Sequence, residues 1–238
     1  MNTRREISFI NHIYISTNQS KKKNILLFHG WGSSVKNYEK FAESLATLGF
    51  QVVVPELVFH DSRNKLENHF AEKITQEYFW QTVFTSIDEG NSLIEELGVR
   101  AEDIILLGIS MGGFIANGLY ANGRPFAGLI NINGSGSYLL SEEIFRKNGN
   151  RSALSFEEKE VFHSYNPIGK TRGSSPVLLM HGEQDKTVSI KGQEDYYKYL
   201  NKECVRTNAV FLKYKDIDHT TSEEMTADLI SWLKVSFE

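Results

Sequence analysis

Ile104-Ile105-Leu106-Leu107-Gly108-Ile109-Ser110-Met111-Gly112-Gly113 decides how the rest of the chain reads. Four apolar residues in succession suit a strand covered on both faces. A G-x-S-x-G turn follows, and beyond it Ile115 and Leu119 fall on one face of a helix. A tight strand-to-helix turn holds its serine in a strained backbone conformation, and the flanking glycines remove side chains that would clash there. The hydroxyl of Ser110 is thereby lifted clear of the sheet, beside amide hydrogens at a helix N-terminus where developing negative charge is favoured. The bland alternative is a glycine-rich packing turn whose serine caps the helix.

Outward from that turn, five more short apolar runs recur: Ile25–Phe28, Val52–Val54, Leu129–Ile132, Val177–Met180 and Val210–Leu212. Their continuous apolarity predicts a parallel sheet with both faces covered. Between them lie helical patterns. Tyr38, Phe41, Leu45 and Leu48 form one face of a helix ending near Gly49. Phe79, Val83, Ile87, Ile94 and Leu97 form one ending at Gly98, and Met225, Leu229 and Leu233 form the last. Strand–helix alternation of this kind predicts an α/β fold, a mostly parallel doubly wound sheet of about eight strands. Ile7 and Phe9, then Ile13 and Ile15, alternate around Asn11-His12 and predict an antiparallel hairpin at the sheet edge, followed by a solvated turn at Lys21–Lys23. Residues 1–238 read as one domain. Within it, residues 134–175 carry little strand pattern and many charges, and read either as a small cap of helices or as a long surface connection.

A serine hydroxyl is a weak nucleophile; it needs a base to take its proton and an acid to orient that base. Asp185 follows the Val177–Met180 run in His181-Gly182-Glu183-Gln184-Asp185, and His219 follows Val210–Leu212 just before the last helix. Both lie past the carboxyl ends of strands, where ligands bind in open α/β sheets. Glu183 competes as the acid but sits nearer the strand end. Asp216 and Asp218 read as residues that shape the loop of His219. Of seven histidines, His12 falls in the expected hairpin turn, His163 in the possible cap, and His69 beside no motif; His181 reads as a hydrogen-bonded structural residue. His29-Gly30-Trp31-Gly32 follows the first buried run, where a second amide for an oxyanion is expected, so the backbone N–H groups of Trp31 and Met111 are assigned that role. His29 then braces the loop. Trp31, Met111 and Phe59 are expected to give the substrate pocket apolar wall, and Tyr138 to reach it from the 134–175 segment. His60 and Asp61 either brace their loop against the His29–Gly32 turn or contact substrate, with bracing preferred.

With HGWG at 29–32, GISMGG at 108–113, HGEQD at 181–185 and Asp218-His219 in hand, residues 24–235 resemble the α/β-hydrolase superfamily. Any one of these motifs is weak alone; four in this order are specific. The sequence is similar to small bacterial esterases and to the catalytic domain of the prolyl-oligopeptidase class, though too short to carry the propeller of the latter. Ser rather than Cys stands at the elbow, which departs from the dienelactone hydrolases. The resemblance implies acyl transfer to water, most often from a carboxylic ester, with a peptidase and a catalytically silent ligand-binding scaffold as the other readings.

Composition sets outer bounds. Apolar residues make up 40% and charged residues 24%, as a soluble globular domain requires. A formal charge of −4 provides no general basic field for nucleic acid or anionic lipid. No apolar run suits a membrane helix, and the basic start leads into no signal-like stretch, so a cytoplasmic protein is expected. Cys204 stands alone, which precludes an internal disulfide. Metal-ligand spacings such as CxxC or HExxH are absent, so neither metal nor organic cofactor is expected. Oligomeric state is not legible; the expected partner is a small-molecule ester.

Overall fold

The structure, a computed structural model, describes residues 12–14, 23–171, 174–205 and 207–237. The first half runs β1 (His12–Tyr14), β2 (Asn24–Phe28), α1 (Glu39–Thr47), β3 (Gln51–Val54), α2 (Glu72–Leu97), β4 (Ile104–Ile109) and α3 (Met111–Ala121). The second half runs β5 (Gly128–Ile132), α4 (Tyr138–Asn148), α5 (Phe156–Tyr165), β6 (Val177–Gly182), α6 (Ile190–Lys202), β7 (Ala209–Tyr214) and α7 (Glu223–Phe237). Each of the six apolar runs is a strand.

The strands form one sheet in the order β1-β3-β2-β4-β5-β6-β7, parallel from β3 to β7 and antiparallel only where β1 meets β3. The described sheet thus has seven strands against the eight or so expected. Ile7, Phe9, Asn11 and Ile15 of the expected hairpin, and Lys21 and Lys22 of the turn after it, lie outside the described residues. His12 pairs with Val54 on an edge strand rather than turning a hairpin.

Both faces of the sheet are covered, which explains the unbroken apolar runs. Leu26 and Phe28 of β2, with Ile104 and Leu106 of β4, face α2 and α3 through Val83, Ile87, Phe114 and Ile115. The intervening Ile25, Leu27, Ile105 and Leu107 face α1 and α7 through Leu45, Met225, Leu229 and Leu233. All these strand side chains are fully buried, each contributing about 1.5–3 kcal/mol over the exposed state. A truncation such as Leu106→Ala is therefore expected to cost about 2–5 kcal/mol.

Parallel register brings the carboxyl ends of the central strands to one side. Phe28 pairs with Gly108, Gly108 with Asn131, Ile132 with Met180 and Gly182 with Tyr214. The loops beginning at residues 29, 110, 133, 183 and 215 converge there. The helix pair α4 and α5 lies between β5 and β6. Among the described residues no helix is long and apolar enough to cross a membrane.

Candidate active site

Ser110 sits between β4 and α3 with φ 58° and ψ −121°, a region costly for any residue with a Cβ. Two neighbours make that turn possible. A Cβ on Gly108 would lie 1.9 Å from the carbonyl oxygen of Gly112, and one on Gly112 would lie 2.0 Å from that of Phe28. The Ser110 amide donates to the carbonyl of Ile132 at 2.8 Å, and its carbonyl accepts from Gly113 at 2.8 Å, which locks the turn.

The hydroxyl of Ser110 lies 2.8 Å from Nε2 of His219, and Nδ1 of His219 lies 2.6 Å from Oδ2 of Asp185. The three expected side chains thus form one continuous hydrogen-bonded series. Asp185 is buried, and its Oδ1 accepts the backbone amides of Thr187 and Val188, each at 2.9 Å. Burial alone would raise the carboxyl's pKa. Hydrogen bonds from His181 and His219 overcome that and hold it well below the usual carboxylate range. Of the competitors, Glu183, Asp216 and Asp218 are all exposed, and no hydrogen bond joins them to His219 among the described residues.

A residue absent from the sequence reading organises these loops. Asn133, just past β5, takes a left-handed conformation with φ 52°, which asparagine tolerates better than most. Its Oδ1 accepts the amide of Gly182 at 3.0 Å, and its Nδ2 donates to the carbonyl of Thr220 at 2.8 Å. One buried side chain therefore joins the segment leading to Asp185 with the loop holding His219. The sequence signal was slight: an asparagine directly after a strand, in Asn131-Ile132-Asn133-Gly134.

On the other side of Ser110, the turn after β2 carries Trp31. Its indole Nε1 donates to the carbonyl of His69 at 2.9 Å, and its ring meets His60, His69 and Phe79 edge-on. Nε2 of His60 accepts the amide of Gly32 at 3.0 Å while its Nδ1 donates to the carbonyl of Val58 at 2.9 Å. That pattern requires the neutral ring, and burial, with minor repulsion from His29 and His69, lowers its pKa to about 4. Asp61 accepts the amide of Val35 at 3.1 Å. His60 and Asp61 thus both bond the segment around the His29–Gly32 turn, and neither lines the cavity. The amides of Trp31 and Met111 take no part in the loop and turn hydrogen bonds of the described residues.

Ser110 and His219 open into a cavity of about 550 Å³. One wall is the start of α2, where Glu72, Thr75, Gln76, Phe79 and Trp80 recur at helical spacing. Adjoining it are Glu142 and Phe145 of α4 and Arg151 just after that helix, with Val188 from the segment after Asp185. Glu142 is almost fully buried yet satisfied. Oε2 accepts from Trp80 Nε1 at 2.7 Å, and Oε1 accepts from Arg146 at 2.7 Å and Arg151 at 3.0 Å.

Three pocket expectations are corrected. Phe59 does not line the cavity; at φ 64° its ring turns away to pack edge-on against Tyr78. Tyr138 is fully buried, packed on Trp80 and Phe114, with its hydroxyl donating to the carbonyl of Phe114. Met111 does not line the cavity either, since its side chain is in the core. His69, which lies beside no sequence motif, is buried against Trp31 and His60, and His163 is exposed. Among the described residues no group of three or more His, Cys, Asp or Glu is placed to hold a metal.

Residues 10–228 match the dienelactone hydrolase family, so the serine at the elbow does not set the chain outside it. Esterase YjfP of Escherichia coli (strain K12) is 27% identical over 177 residues, 69% of each chain. The crystal structure of TT1662 from Thermus thermophilus superposes with a TM-score of 0.73 at 17% identity, covering 94% of this chain and 92% of the other. Acylaminoacyl peptidase of Pyrococcus horikoshii superposes with a TM-score of 0.69 at 15% identity, over 94% of this chain and 39% of that one. These last two likenesses establish the α/β-hydrolase fold.

Proposed function

The chain belongs to the dienelactone hydrolase family, and on that premise we propose that it is a serine hydrolase cleaving carboxylic esters with an apolar acyl group. The observation that carries this reading is the hydrogen-bonded series Ser110–His219–Asp185 opening into the cavity. Asp185 holds His219 with Nδ1 protonated and Nε2 free to accept the Ser110 proton. Ser110 attacks the acyl carbon, and the amides of Trp31 and Met111 receive the oxyanion at the positive end of α3. His219 then protonates the leaving alcohol, and a water deprotonated by the same imidazole releases the acid. The esterase name of the Escherichia coli relative supports an ester over an amide. Phe79, Trp80, Phe145 and Val188 support an apolar acyl group, because burying each methylene against such walls contributes about 0.8 kcal/mol.

The test is hydrolysis of a p-nitrophenyl ester series, acetate upward, by the parent and by Ser110→Ala, with a matched anilide in parallel. Turnover in the parent that vanishes in Ser110→Ala, with the anilide far slower, is the expected result. Comparable anilide turnover would replace the ester reading with a peptidase one. A folded parent inactive on every member and unlabelled by a fluorophosphonate would overturn the enzyme reading.

A further inference from the structure

His181 is the last residue but one of β6 and is fully buried. Its Nε2 lies 2.9 Å from the carbonyl oxygen of Val188 and 3.2 Å from Oδ2 of Asp185, the same carboxylate oxygen that faces His219. Both neighbours are acceptors, so Nε2 carries a proton shared between them. Nδ1, buried, has no hydrogen-bond partner among the described residues. A native interior rarely leaves such an atom unmatched, and a purely apolar side chain would fill this place without that cost.

From this geometry we infer that His181 is a positioning residue which, by donating to Oδ2 of Asp185, tempers the acid's hold on His219 and sets the pH at which the base becomes available. The inference rests on the proposed roles of Ser110, Asp185 and His219. A carboxylate has about four lone-pair sites, and here all four are occupied. Two backbone amides take Oδ1, and two imidazoles take Oδ2. Each donor withdraws charge that would otherwise stabilise the imidazolium of His219. With the His181 donor gone, His219 faces a more basic oxygen, keeps its proton to higher pH, and accepts the Ser110 proton only above that pH.

The surroundings leave these two imidazoles as the titratable groups facing Asp185. Ser110 meets His219 on its other side. Lys186 and Asp218, next to Asp185 and His219 in sequence, are exposed. Lys213, the register partner of His181 on β7, is exposed and paired with Glu194 of α6 at 2.5 Å. Asp195 of α6 accepts the hydroxyl of Ser137 at 2.7 Å.

The test is the second-order rate of fluorophosphonate labelling of Ser110 across the pH range in which an imidazole titrates, which needs no knowledge of the substrate. Parent, His181→Leu, His181→Gln, His181→Asn and Asp185→Asn are compared. In His181→Leu the acid limb is expected to move to higher pH by about half a unit to one unit. His181→Gln, whose amide nitrogen reaches the place of Nε2, restores the parental limb. His181→Asn, whose amide reaches only the place of Nδ1, behaves like the leucine variant and serves if that variant does not fold. A residue that merely clasps the Val188 loop would lower the amount of folded protein and leave the limb where it was. An unmoved limb in both the leucine and asparagine variants, or a glutamine variant indistinguishable from them, overturns the inference. If Asp185→Asn labels at the parental rate, the triad reading itself falls. If it slows by orders of magnitude while the His181 variants keep the parental limb, only the role of His181 falls.

Discussion

Nε1 of Trp80, on α2, donates a 2.7 Å hydrogen bond to Oε2 of Glu142, on α4. This bond joins the body of the domain to the helix pair between β5 and β6, and it lies in the cavity wall. Its acceptor is a buried carboxylate whose other oxygen is taken by two arginines. Breaking such a group is costly because the partners are left without a counter-charge. Glu142→Ala is expected to lose about 3 kcal/mol in urea unfolding. Glu158, half-exposed and paired with Arg146 at 2.5 Å, is the control; Glu158→Ala is expected to lose less than about 1 kcal/mol. Equal losses in the two variants would show that the buried clamp does not hold the helices down.

The strained backbone of Ser110 gives a second expectation. Glycine normally destabilises relative to alanine, but at φ 58° and ψ −121° the Cβ is the source of the strain. Ser110→Gly is therefore expected to be more stable than Ser110→Ala by about 1 kcal/mol, with both inactive. Thermal unfolding of the pair checks this, and the ordinary ranking would mean that the turn is relaxed.

His60 predicts an acid limb of stability. Its folded pKa, about 4, lies below the ordinary value of 6.5, so the folded protein holds the ring neutral while the unfolded chain takes up a proton near 6.5. The stabilisation is present in full above pH 6.5 and is lost as pH falls from there toward 4, up to about 3 kcal/mol in all. The difference between parent and His60→Gln in urea unfolding isolates it from the carboxylates. A difference that stays constant over this range would refute the neutral, accepting role of His60 toward Gly32.

Phe145 packs against Phe79 and Phe114 at the cavity wall contributed by α4. Phe145→Ala enlarges the space facing Ser110. Longer p-nitrophenyl esters are expected to gain kcat/KM relative to acetate, by about fourfold for each methylene newly accommodated. An unchanged chain-length profile would move the acyl group to another wall.

The six strands, and the places of the three side chains of the proposed triad, were readable because each depends on local pattern. Buried parallel strands need unbroken apolar runs, and Gly108 and Gly112 are demanded by the close approach of the backbone. The cavity was not readable in that way. Phe79 shows the helical period of a core residue, and nothing local tells that its ring also borders open space. Phe59 is expected at the pocket from its place after a strand end and Tyr138 from its place in the 134–175 segment, but the direction of a ring is set by tertiary packing. Helix α6 carries a weak apolar signal because its buried face is Gly192, Gln193, Tyr196 and Tyr199, with Leu200 as its one aliphatic residue. Helix α5 did carry a signal: Ser155 and Glu158 form a reciprocal capping box, spaced S-x-x-E in the chain.

The bond between Ser110 and His219 spans 109 positions of chain, whereas that between His219 and Asp185 spans 34. The elbow with its strained serine lies between β4 and α3 at the middle of the sheet, whereas His219 follows β7 at its edge. Closing so long a loop comes late in folding. The Ser110–His219 bond therefore depends on β7 being in place, and loosening of that edge strand is expected to part the pair while leaving the elbow itself intact.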